Sequence, residues 1–374
     1  MDRMLIDEFR EKVNEQDLVC HIYHNHNGKD QWSIICSVMD WIDVVVDSID
    51  TNNLSRKNDN ESSIKVITFI TCIDVLWEAI QQLHRVFFNN NEIPFVADNS
   101  VFKHKLFKAT DNDYFKTIRA CFAAHPINLN DNFTGANKAE RRYASWSGGG
   151  FSEGDFSVIL YSNQPDKESL YLNIYFDELL AFAEIRYNYL CTVMEEIDMK
   201  VGQYFNSWRN QRIMRDDNPA AQIEILVNEA KQRLDNDYYN SELKKLRIIF
   251  TTSITNPQNQ EVVNYYRIAL LHKIEELFIC LQQMNFSELQ SIDDSYPTNC
   301  GYAFSKLSDV VYGNGNSAFI QVENFKTYLG EIVDFSKYKT YEELYVIIKA
   351  GFFWMNTNGQ KVKKCNLLKI FIKK

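Results

Sequence analysis

The sequence predicts a mainly α-helical protein, a helical bundle carrying an inserted β-hairpin and followed by a second, mostly helical domain. Three observations carry this expectation. Only 13 glycines and 6 prolines occur in 374 residues, too few for a many-turned β-sandwich. Apolar residues recur over long stretches at alternating spacings of three and four, the period of a helix with one buried stripe. One stretch, 143–176, changes character and reads as strands around turns.

Taken in order, Trp32, Ile35, Met39, Ile42, Val46 and Ile49 predict a helix over 31–50. A polar loop separates it from 63–88, where Ile67, Ile70, Ile73, Leu76, Trp77, Ile80, Leu83 and Phe87 repeat the pattern. After a loop containing Pro94, Asp111-Asn-Asp113 looks like an N-terminal cap for a helix over 111–125 that stops before Pro126. Runs rich in β-branched and aromatic residues at 156–162 and 170–176, joined by a polar turn, predict an antiparallel hairpin. A helix follows over 177–212.

The segment Arg215-Asp-Asp-Asn-Pro219 is the best candidate boundary, giving domains of 1–215 and 216–374. Beyond it, 220–250 and 260–285 read as helices and 295–340 as a more broken region. A last helix near 341–355 precedes a basic tail running from Lys361 to Lys374.

A hydrophobic fraction of 45% and a charged fraction of 24% are ordinary for a soluble globular protein. The net charge of −10 argues against a dedicated duplex-DNA binder, which presents a basic surface to phosphates. Lys138/Arg141/Arg142, Arg209/Arg212/Arg215 and the C-terminal tail are candidate basic patches, each read first as a solvated face. Eight cysteines without a CxxC pair, several of them (Cys36, Cys72, Cys121, Cys191) among apolar residues, read as reduced core thiols. The N-terminus lacks the apolar core of a signal peptide and no apolar run reaches membrane-span length, so the expectation is a cytoplasmic protein with no membrane partner.

Chemistry concentrates in Arg119-Ala-Cys-Phe-Ala-Ala-His125-Pro126. Arginine is a permanent cation suited to phosphate, and histidine exchanges a proton near neutral pH. About one Arg-x(4–6)-His match is expected by chance in this composition, and the chain holds two, the second being Arg267/His272. In the second, the helical pattern continues past the histidine and leaves the two side chains well apart around the axis. In the first, Pro126 ends the helix and lets the imidazole turn away from its normal helical direction, where it could face the same phosphate as Arg119.

On this motif and on helix order, roughly residues 31–210 resemble the HEPN (higher eukaryotes and prokaryotes nucleotide-binding) superfamily. The resemblance implies a helical bundle with an Arg-x(4–6)-His motif at a helix end, and a metal-independent endoribonuclease of the toxin or phage-defence kind. It implies that His125 serves in acid–base catalysis as the RNA 2′-hydroxyl attacks its own phosphate, while Arg119 neutralises developing charge. RNA as substrate and a homodimer or larger oligomer follow from it, and no cofactor or metal is expected. Ala120 stands where many active members carry asparagine. Members of the superfamily also serve as non-catalytic binding or dimerisation modules, so a helical protein–protein interaction module is the alternative.

Asp74 and Glu78, four apart on one side of the 63–88 helix with His84 and Arg85 beyond them, are candidate supporting residues that could orient His125, against a reading as a solvated helix face. Cys20, His21, His24 and His26 have spacings that zinc could use but no second ligand pair, and read as a polar loop. Ser147-Gly148-Gly149-Gly150 lacks the lysine and helix of a P-loop and reads as a turn. Tyr143, Trp146, Phe151 and Phe156 could stack on unpaired bases, with hairpin core as the blander reading.

Overall fold

The computed structural model describes residues 1–25, 28–52, 54, 59–124, 129–130, 141–146, 153–234, 236–287, 289–292, 296, 300–313 and 315–371, with the backbone course alone for 16, 129–130, 317 and 358–371. The protein is mainly α-helical with a small antiparallel sheet. The chain gathers into two compact units, Met1–Gly202 and Gln203–Lys374.

The first unit opens on α1 (Met4–Asn14) and α2 (Leu18–Tyr23), which the periodicity argument passed over. Ile6, Phe9 and Val13 of α1 are fully buried, at a spacing of three then four. Tyr187 fastens the helix from outside its own sequence, its hydroxyl accepting from the Ile6 N–H at 3.0 Å and donating to the Asp2 carbonyl at 2.7 Å. Helices α3 (Trp32–Val46) and α4 (Asn60–Phe88) fall where the apolar stripes put them. Helix α4 starts three residues early because Asp59 caps it, accepting from the Ser62 N–H at 2.8 Å. It is buried on most sides against α3, α5 and α6, and its open side carries Asp74, Glu78 and Gln82.

Helix α5 spans Asp111–Arg119, and a π-helical turn, Ala120–Ala124, follows it. The cap is Thr110, which accepts from the Asp113 N–H, in place of the expected Asp111-Asn-Asp113. Asp111 and Asn112 are instead buried and face inward. The Asp111 carboxylate accepts from the Val101 N–H at 2.9 Å and pairs with Lys105 at 2.8 Å, while Asn112 donates to the carbonyls of Pro94 and Phe95. Arg186, fully buried, donates to Asn112 Oδ1 at 2.7 Å and lies 3.4 Å over the Phe182 ring. The Pro94 loop is thus pinned by buried polar groups whose partners supply most of what water would have given, although Arg186 Nε is left without a hydrogen bond.

The sheet has the order β1-β2-β3-β4, with β1 at Leu129–Asn130, β2 at Arg141–Trp146, β3 at Phe156–Ser162 and β4 at Leu170–Ile174. Strands β3 and β4 form the expected antiparallel hairpin, pairing Phe156 with Ile174 and Leu160 with Leu170. Val158, Leu160, Leu172 and Ile174 turn one face into the core of the unit.

The helix expected over 177–212 is two, α6 (Phe176–Tyr187) and α7 (Tyr189–Arg209). At the junction the Asn188 N–H still reaches Glu184 O, but the Cys191 N–H bonds to Asn188 O, only three residues back. Leu190, Val193 and Ile197 of α7 are buried, which turns Cys191 outward; this thiol is exposed, contrary to the expectation of a core position. Cys121 is buried, and desolvation pushes its pKa up to about 12.

The second unit begins within α7. The stretch 220–250 is also two helices, α8 (Pro219–Arg233) and α9 (Asp237–Thr251), because Leu234 turns extended and Asn236 caps a new start. Asn218-Pro219 and Asn256-Pro257 each place an asparagine cap before a proline at the first helical position, opening α8 and α10 (Pro257–Gln283). Short helices α11 (Gly301–Ser308), α12 (Asn316–Ile320) and α13 (Val322–Leu329) make up the broken region. Helix α14 runs Tyr341–Phe371, well past the expected end at 355 and through most of the lysine-rich tail. Nothing there stops it: the tail lacks proline, and the single Gly359 costs only about 1 kcal/mol.

Candidate functional site

Arg119 is the last residue of α5, where the backbone passes from α-helical to π-helical geometry. Its Nη1 donates to both Asp74 oxygens, each at 3.0 Å. The pair is half-buried, with side chains 35% and 24% exposed. Nε is buried without a hydrogen-bond partner, as is Nε of Arg186. Asp74 therefore holds one corner of the guanidinium and fixes its plane.

Asp74 also lines a groove of about 520 Å³ between α3 and α4, whose walls include Ser37, Val38 and Trp41 from one helix and Val75, Glu78 and Gln82 from the other. Glu78 is exposed in this groove. The two carboxylates four apart on α4 do share a side of the helix, and Asp74 has Arg119 as its partner. His125 lies outside the described residues.

His84, further along α4, is occupied elsewhere. Its ring stacks on Phe88 with centroids 4.7 Å apart, and Nδ1 lies 2.8 Å from the Tyr189 hydroxyl. Burial, with the nearby Arg85 charge, lowers its pKa. Arg267 donates from Nε to Ile249 O at 2.8 Å and from Nη2 to Thr252 O at 2.6 Å, satisfying carbonyls at the C-terminal end of α9. His272 bonds back to the Ala269 carbonyl on its own helix.

The remaining candidates separate by placement. Arg142 is 2% exposed and donates to the carbonyls of Leu160 and Glu168, so it is no part of a surface patch. Arg209 donates to Gln283 O, and Arg215 forms a two-armed pair with Glu275 at 2.7 and 2.8 Å. Phe156 is core, and Trp146 packs edge-on against Phe122 and Phe156. Tyr143 is exposed. Lys138, His26, Phe151 and 147–150 lie outside the described residues, as do the side chains of the tail from Lys361. Among the described residues no three His, Cys, Asp or Glu side chains converge as a metal site, and no helix is long and apolar enough to cross a membrane.

Sequence reasoning missed the pairing of Asp74 with Arg119, and it missed Tyr161 and Tyr171, which share the exposed face of the sheet with Tyr143. The tyrosines had a signal, the period-two alternation of β3 and β4. The ion pair had none, since its members are 45 positions apart. Compared with family models, curated proteins and solved structures, the chain matches none.

Proposed function

We propose that the first unit is a metal-independent endoribonuclease of HEPN type, with Arg119 and His125 as catalytic residues and Asp74 as a positioning residue. The observation that supports it is the state of Arg119: Nη1 is held by Asp74 while Nη2 makes no hydrogen bond among the described residues, at a helix end six positions before a histidine. A guanidinium held in this way offers its uncommitted donors to a phosphate oxygen without first losing side-chain freedom. Arg119 would stabilise the charge developing as the 2′-hydroxyl attacks, and His125 would move the proton. Glu78 adds a carboxylate to the same groove. A homodimer would bring a second Arg/His set, giving the reaction both an acid and a base. The setting proposed is cytoplasmic, as a toxin or phage-defence effector, with the C-terminal domain serving target recognition, regulation or assembly.

The test is cleavage of a mixed-sequence RNA in EDTA. Wild-type protein is expected to leave cyclic-phosphate ends and His125→Ala to leave the RNA intact. Activity that survives His125→Ala, or that requires Mg²⁺, would reject the mechanism. A second reading, a helical interaction module, is favoured by two observations: Asp74 already matches the Arg119 charge, and α3 leaves Ile34, Trp41 and Val44 exposed along one side, with Ile34 and Trp41 lining the groove.

A further inference from the structure

The outer face of the sheet has a composition that its inner face does not explain. Register places Tyr143 directly across from Tyr161, and Ile159 directly across from Tyr171. Tyr171 is therefore the diagonal neighbour of Tyr161 on the same face. These three side chains are 40%, 46% and 46% exposed, whereas Val158, Leu160 and Leu172 beside them are at most 1% exposed. Arg141 shares the parity of Tyr143 and lies next to it on that face. Its backbone is paired with Asn163, while no ion pair holds its guanidinium among the described residues. Ser157 of the same parity is buried, while Ser145, exposed, and Asn173, half-buried, lie on the same face. No carboxylate stands on it within the strands, in a chain with 50 acidic residues; Asp166 and Glu168 lie in the β3–β4 turn.

Directly opposed residues of an antiparallel pair stand about 5 Å apart and diagonal ones about 7–8 Å. The second spacing is near the step of an extended single strand, in which each base offers a face to an aromatic ring. Tyrosine and arginine also serve protein interfaces, but rings at the diagonal step beside a guanidinium that has no ion pair among the described residues, with carboxylates kept off the strands of the face, suit a polyanion whose bases are unpaired.

We propose that this face, with Tyr143, Tyr161 and Tyr171 as stacking platform and Arg141 as phosphate contact, binds single-stranded nucleic acid. The surface does not depend on the Arg119 reading, because binding requires no cleavage.

The test is fluorescence anisotropy of the full chain with a fluorescein-labelled ten-nucleotide oligothymidylate. That probe lacks the 2′-hydroxyl and cannot be cleaved by cyclisation, so a failed nuclease and a failed platform give different results. Oligouridylate in EDTA and a duplex of equal length are the other arms, the first reporting whether RNA is preferred. Saturable single-strand binding, at least tenfold tighter than duplex binding, is expected. Tyr161→Ala and Tyr171→Ala should each weaken it about fivefold or more, as loss of one stacked base predicts, and Tyr161→Phe should retain it. Arg141→Ala should reduce the slope of log Kd against log salt by about 0.7. The three substituted positions are on the outer face, so circular dichroism and Tm should match wild type. Duplex binding equal to single-strand binding, no binding at 100 µM probe-saturating protein, or alanine variants that bind like wild type would overturn the proposal and leave the face to a protein partner.

Discussion

Arg119 and Arg267 occupy the same short sequence pattern and do different work. Each precedes a histidine at the permitted spacing, and each is half-buried beside a helix end. Arg267, in the middle of α10, gives its donors to the carbonyls of Ile249 and Thr252, so its charge closes the end of α9. Burial lowers its pKa, and backbone carbonyls are its whole reward. Arg119 gives one amino group, Nη1, to a side-chain carboxylate, and Nη2 makes no hydrogen bond among the described residues. An arginine spent on backbone carbonyls has been used up by the fold, whereas one held by a carboxylate at Nη1 keeps a donor that the fold has not used. The motif spacing carries none of this; the partners do.

The largest effects should separate the two arginines. Arg119→Ala is expected to lower RNA cleavage roughly 10²- to 10³-fold, the loss typical of removing one donor to a developing oxyanion, with Tm close to wild type. Arg267→Ala should reverse the pattern. Cleavage should stay within about twofold, while loss of two charge-assisted bonds costs roughly 1–3 kcal/mol and lowers Tm by several degrees. Thermal melts beside single-turnover cleavage would read both. Equal losses of activity in the two variants would end the distinction.

Asp74 sharpens the comparison because it is what Arg267 lacks. Asp74→Ala should slow cleavage roughly 10- to 100-fold through misplacement of the guanidinium, chiefly in kcat, and Asp74→Asn should recover part of that loss. In the double variant Arg119→Ala/Asp74→Ala, cleavage should be no slower than in Arg119→Ala alone, since a positioning residue has nothing left to position. Additive losses would show that Asp74 acts by another route.

What could be read in the sequence follows the range of the interactions involved. The long helices α3 and α4 and the β3–β4 hairpin announce themselves in periodicity, because each must bury one face of its own. Asn218-Pro219 and Asn256-Pro257 likewise mark starts locally. The break at Asn188 has no proline or glycine to signal it. The inward turn of Asp111 depends on N–H groups at 101 and 102, so the local capping pattern pointed to the wrong role. At the site, the i,i+4 spacing put Asp74 and Glu78 on one side of α4, but the identity of the partner, Arg119, is a fact of packing between α4 and α5.

The smallest effect concerns the histidines. His84 stacks on Phe88 and bonds to the Tyr189 hydroxyl, and its pKa is lowered from the ordinary 6.5, first by burial and then by the Arg85 charge. With the folded value below the unfolded one, the unfolded chain takes up the proton first as pH falls. The stability that His84 contributes is therefore present above about pH 6.5 and is lost as pH drops below it toward the lowered folded value. Urea midpoints measured at pH 7.5 and 5.5 should show this as a modest fall, part of which disappears in His84→Gln. Cleavage should respond otherwise: if His125 is the proton carrier, the acid limb of the pH–rate profile survives His84→Gln unchanged. A profile that shifts with His84 would move the catalytic assignment from the end of α5 to α4, and with it the contrast between an arginine kept for a ligand and one spent on the fold.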